Sequence, residues 1–120
     1  MGDIKSYRDL LVWQKSILLV KEVYQLTALF PADERFGLTS QIRRAVISIP
    51  SNIAEGWGRM SRKNYIQFLR ISRGSLFELE TQIIISKELK FYSDCENFEN
   101  LIIEISKILN SLIKKLEEKK

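Results

Sequence analysis

Apolar residues recur three and four positions apart through four long stretches of this chain, and no alternating pattern outlasts four residues. A helix turns every 3.6 residues, so that spacing puts the apolar side chains on one face. A strand needs alternation instead. Only two prolines and five glycines occur in 120 residues, too few for the frequent turns of a sandwich or barrel. The first stretch opens at Ser6, with Asp9 three residues on in the manner of a capping box. Its stripe is Leu10, Trp13, Ile17, Val20 and Tyr24, widened by Leu11 and Leu18, and it should reach Leu29 and stop before Pro31. The second begins between Glu34 and Thr39, with Thr39 and Ser40 as candidate caps and Ile42, Val46, Ile49 and Ile53 as its stripe. The third runs from about Arg62 to Lys90 behind a Ser61 cap, on Tyr65, Phe68, Leu69, Leu76, Leu79, Ile83 and Ile84. The fourth follows the capping box Ser93-Asp94-Cys95-Glu96 and carries Phe98, Leu101, Ile102, Ile105, Ile108, Leu109, Leu112 and Leu116.

Four long helices with short links predict an all-α fold, an antiparallel up-down-up-down four-helix bundle, as one domain over residues 1–120. The 45% apolar content suits a packed core. The chain starts without the apolar run of a signal peptide, and no run is long enough to span a membrane. A single cysteine, Cys95, makes no internal disulfide, which fits a reduced, cytoplasmic setting.

Several chemistries lack their parts. Without histidine there are no Glu-x-x-His pairs for a di-iron bundle and no base for a serine nucleophile. One cysteine cannot build a thiolate zinc site, and no glycine-rich phosphate loop is present. The expectation is a protein that is not an enzyme and holds no metal or cofactor.

The second stretch is the unusual one. Arg43 and Arg44 flank its stripe, and Pro50 sits inside it, where the ring removes a backbone donor and should bend the helix. Gly56 should then close the helix. Trp57 stands between Gly56 and Gly58, placed to pack on the bundle, on another subunit, or on a base. On the third helix Gly74 reads as a close packing contact. Charge is lopsided. Between Arg35 and Phe77 lie Arg35, Arg43, Arg44, Arg59, Arg62, Lys63, Arg70 and Arg73, against the single acid Glu55. That segment carries +7 and the remainder −3 of a net +4. Arg62, Arg70 and Arg73 fall on one side of their helix. A basic face of this kind usually serves a polyanion, whereas the alternative is arginines paired with the acids of neighbouring helices.

The runs LLVWQKS, ERFGLTSQIRRA, SIPSNIAEGWGR and FLRISRGSLFELETQ together resemble bacterial four-helix-bundle proteins first noticed as open reading frames inside intervening sequences of 23S ribosomal RNA genes. A more distant likeness is to the accessory variability proteins of diversity-generating retroelements. The resemblance covers nearly the whole chain. It implies an antiparallel four-helix bundle, assembly as a homopentamer and a role connected to nucleic acid, and it brings no catalytic residues.

Two functions follow. In one, a homo-oligomer binds RNA or DNA phosphates through Arg43, Arg44, Arg59, Arg62, Lys63, Arg70 and Arg73. In the other, the arginines hold subunits together, dock an acidic protein partner, or serve an accessory subunit of an enzyme such as a reverse transcriptase. Pro50, Asn52, Glu55, Gly56 and Trp57 are the motif positions for such subunit contacts. Asn52 and Glu55, three apart beside Pro50, are placed to bond a freed backbone carbonyl or Arg43 or Arg44.

Overall fold

A computed structural model of the chain describes residues 3–93 and 96–119, the last range without the side chains of 96 and 97. Among these residues there are four α-helices and no strand: α1 (Leu11–Thr27), α2 (Leu38–Gly58), α3 (Arg62–Glu88) and α4 (Glu96–Glu118). No helix is long and apolar enough to cross a membrane. Each helix packs on two neighbours, α1 on α2, α2 on α3, α3 on α4 and α4 on α1. Cross-links join the end of one helix to the start of the next for α1–α2 and α2–α3, and the first half of α3 to the second half of α4. Arg43 of α2 reaches Thr27 of α1, Gly56 of α2 meets Phe68 of α3, and Arg73 of α3 bonds Asn110 of α4. Such contacts are consistent with the expected four-helix bundle arrangement.

The core is the set of inward stripes. Ile42, Val46, Ile49 and Ile53 of α2, Leu69, Leu76 and Leu79 of α3, and Phe98, Ile105 and Leu109 of α4 are all fully buried, as their spacing predicts. Phe30 tucks beneath the bundle against the ring of Phe91, 5.5 Å away.

The first helix departs from expectation. Ser6 and Asp9 do form a capping box, but it closes only a 3-10 turn over Tyr7–Asp9. Leu10 then turns extended, and α1 starts at Leu11 and ends at Thr27. Its buried face is Val12, Ser16, Leu19, Val23, Leu26 and Thr27, while Leu11, Ile17 and Leu18 are exposed. Leu10, Trp13, Val20 and Tyr24 pack at the margin of the core. The helix is apolar on so many sides that two polar residues enter the core. Their hydroxyls donate to carbonyls four residues back, Ser16 to Val12 at 2.7 Å and Thr27 to Val23 at 2.8 Å.

Three local expectations need correction. The N-cap of α2 is Gly37, Glu34 Oε1 accepts the Leu38 N–H at 3.1 Å, and Thr39 and Ser40 lie inside the helix. Gly56 does not stop α2, which continues to Gly58; the left-handed residue of the link is Met60, with φ 60°. Gly74 makes no close contact, since a methyl group there would meet nothing within 4 Å. The expected cap of the fourth helix falls on Asp94 and Cys95, outside the described residues.

Candidate nucleic-acid interface

The fold separates the basic residues that the sequence runs together. Arg43 points at α1. Its Nε donates to Thr27 Oγ1 at 2.8 Å, and its guanidinium lies 4.3 Å from the centre of the Tyr24 ring. Nη2 reaches the Tyr24 carbonyl at 3.4 Å. Thr27 works as a relay, donating to Val23 and accepting from Arg43. Arg43 is therefore a clasp between α1 and α2 and does not belong to a phosphate-binding surface. Arg43→Ala should cost about 1.5–3 kcal/mol of stability, the usual range for a hydrogen bond to a charged group. Urea unfolding would measure it.

Three further arginines are engaged on the surface. Arg59 pairs with Glu55 at 2.8 Å, one turn earlier on α2, and lies 5.0 Å from the Phe68 ring. Arg70 pairs with Glu117 of α4. Arg73 donates to Asn110 Oδ1 at 3.1 Å. The common side predicted for Arg70 and Arg73 is thus the side that meets α4. Glu55 serves Arg59 and bonds neither Arg43 nor Arg44. Asn52 donates to the Ser48 carbonyl at 2.8 Å and to Ser48 Oγ at 2.9 Å, again not to an arginine. Pro50 is buried, and α2 runs through it. Just before it, the Ile49 carbonyl accepts a bond from Ser72 of α3 at 2.9 Å.

Arg44, Arg62 and Lys63 are exposed and make no hydrogen bond or ion pair with a described residue. They are not adjacent. Arg44 lies about 21 Å along α2 from its C-terminal end at 1.5 Å per residue. Arg62 and Lys63 sit in the first turn of α3. There the fold adds two cations that sequence reasoning missed. Lys5, from before the first turn, and Lys119, after α4, line the same cavity as Arg62. Chain ends more than a hundred residues apart meet only once the bundle is closed, so no local spacing could have found the pair.

Gly56 and Trp57 complete this end. Gly56 is buried where α2 and α3 approach most closely, since a methyl carbon there would lie 2.6 Å from Cβ of Phe68 and 3.2 Å from Cδ1 of Tyr65. Trp57 packs back on the bundle, edge to face with Tyr65, with ring centres 6.0 Å apart and planes at 87°. The Tyr65 hydroxyl is buried without a hydrogen-bond partner. Burial pushes its pKa up to about 12, because the phenolate would have to leave water.

Comparison with known proteins agrees with this architecture. The family description "23S rRNA-intervening sequence protein" matches residues 8–111. The chain belongs to that family. A crystal structure from Bacteroides thetaiotaomicron, described as a protein of unknown function from the S23 ribosomal protein family, is similar at a TM-score of 0.77. It shares 28% identity over 87% of this chain and 99% of its own. No protein of curated function matches the chain. In this member of the 23S rRNA-intervening sequence protein family, the run from Arg43 to Trp57 is largely architectural: a clasp, a buried proline, a helix-to-helix contact and an aromatic pair.

Proposed function

We propose that the chain is a non-enzymatic, cytoplasmic homo-oligomer that binds RNA or DNA through phosphate contacts made at the α2–α3 end of the bundle. The observation that carries this reading is the gathering of Lys5, Arg62 and Lys119 around one cavity, with Lys63 beside it on the exposed first turn of α3. Arg44 adds a separate contact along α2. Lysine and arginine on phosphates release counterions, so affinity should fall steeply with salt. The described residues form no base-reading element, and sequence preference should be weak.

Assembly as a homopentamer, which the family resemblance implies, would repeat this cluster around a ring. Apolar side chains exposed along the helices, among them Ile17, Ile47, Ile71 and Phe77, support a buried subunit contact. The same residues favour a second reading, in which the chain is a scaffold or an accessory subunit of an enzyme such as a reverse transcriptase. In that case an acidic protein surface replaces the phosphates.

The test is binding of a structured RNA and of duplex DNA at low and near-physiological salt, with the double variant Arg62→Glu, Lys63→Glu alongside. Affinity should drop as salt rises, and by a further tenfold or so in the variant at low salt, since each charge reversed removes one contact and adds a repulsion. Equal affinity of variant and parent would exclude the cluster as the binding surface.

A further inference from the structure

The cavity at the α2–α3 end has a floor as well as a charged rim. Its volume is about 540 Å³, within the roughly 300–1,000 Å³ of small-ligand sites. Trp57, Met60, Tyr65 and Leu116 supply the apolar and aromatic wall. Lys5, Arg62 and Lys119 supply charge from three separate parts of the chain. Neighbouring carboxylates are largely committed elsewhere, Glu117 to Arg70, Glu55 to Arg59 and Asp9 to the backbone N–H groups of Lys5 and Ser6. Among the described residues, Asp3, two before Lys5, and Glu118, in the last turn of α4, are exposed acids near these cations without such a bond.

We propose that this cavity holds one unstacked nucleotide of a single-stranded polynucleotide, its base against Trp57 and Tyr65 and its phosphates on Lys5, Arg62 and Lys119. The inference rests on the phosphate-binding reading above and adds a place for the base. Because the two rings are nearly perpendicular, a flat group lying on one presents its edge to the other. Every base has a face to stack, so such a site tolerates any sequence. A phosphate alone would need only the cations, and an aliphatic group alone would need only the wall. The combination fits a planar group joined to an anion. Tyr65 adds a polar element. Water does not reach its hydroxyl, so the ring must turn slightly for a base edge to meet it, and no hydrogen bond to a described residue ties the hydroxyl in place.

The experiment compares a short oligouridylate with an abasic ribose-phosphate strand of equal length and charge, by fluorescence anisotropy at low salt. Parent, Trp57→Leu and Tyr65→Phe proteins are used, with circular dichroism as the check on folding. The parent should hold the oligouridylate about tenfold more tightly than the abasic strand. Trp57→Leu should bring both strands to the same affinity. Tyr65→Phe should lose part of the difference, several-fold, while melting no lower than the parent, since it removes a buried hydroxyl that has no partner. A structural role for Tyr65 would instead lower the melting temperature along with binding. If the parent binds both strands equally, or both variants keep the full preference, the pocket assignment is wrong and the phosphate reading stands. If the parent binds neither strand, nor the structured RNA and duplex DNA, both fail together.

Discussion

Replacing Gly56 with valine is expected to lower the free energy of unfolding by about 2–3 kcal/mol, overpacking of a closed contact being the cause. A carbon on Gly56 meets Cβ of Phe68 at 2.6 Å, and that atom is fixed to the backbone of α3. Neither helix can yield without moving its neighbours, because α2 and α3 are also tied by Ser72 to the Ile49 carbonyl and by the Ser48–Ser75 pair at 2.8 Å. Valine gains a few tenths of a kcal/mol in helix propensity over glycine, which does not offset the clash. Two other glycines serve as controls. Gly58 and Gly74 have open space where a methyl group would stand. Gly74→Ala, in an exposed helix interior, should stabilise by about 0.5–1 kcal/mol. Urea titration of the two variants reads both effects, and a neutral Gly56→Val would mean that the two helices are free to slide apart.

A second large effect is expected at Phe98. Its side chain is fully buried, the largest so enclosed, and it packs with the Tyr92 ring at 6.1 Å. It fixes the start of α4, immediately after the link from α3. Phe98→Ala should cost about 3–5 kcal/mol, combining lost burial with the cavity left behind. Against a total stability of roughly 5–15 kcal/mol, that brings the chain close to unfolding. Ile103→Ala, half exposed on the same helix, should change stability by less than about 1 kcal/mol. A small loss at Phe98 would show that α4 is not held by its inward face.

The bundle was legible because α2, α3 and α4 each keep one buried stripe at helical spacing, although Ile47, Ile71, Phe77 and Ile103 lie off it, and Ile84, counted in the α3 stripe, is exposed. In α2, Ile42, Val46, Ile49 and Ile53 follow steps of four, three and four, which marks the inward face even though Ala45 and Ile47 flank Val46. The first helix offers Leu10 to Trp13 and Ile17 to Val20 as near-continuous apolar runs, and either of two faces satisfies the period. Tertiary packing chose the face carrying Ser16 and Thr27, whose hydroxyls bond within the helix. Periodicity cannot anticipate that choice, since it counts those residues as polar. Gly56 was expected to end a helix and Gly74 to make a packing contact, yet it is Gly56 that makes the contact. One is a contact and the other open, because only one faces the neighbouring helix.

The candidate site was legible in charge and not in geometry. Arg43 and Arg44 are neighbours in sequence and about 100° apart around the helix. One therefore turns to Thr27 and the Tyr24 ring, and the other to solvent. Arg59, Arg70 and Arg73 were counted as open cations, but Glu55 lies one turn before Arg59, and Glu117 and Asn110 come within reach once α3 and α4 pair. Lys5 and Lys119 enter only through closure of the bundle.

The most direct measurement is the dependence of duplex DNA affinity on salt for the parent and for the quadruple variant Lys5→Gln, Arg62→Gln, Lys63→Gln, Lys119→Gln. Each phosphate contact contributes about 0.9 to the slope of log affinity against log salt. If the cluster meets phosphates, neutralising it should flatten that slope by about 3–4 while leaving the melting temperature unchanged. An identical slope in parent and variant, or a parent that does not bind even at low salt, would contradict the account.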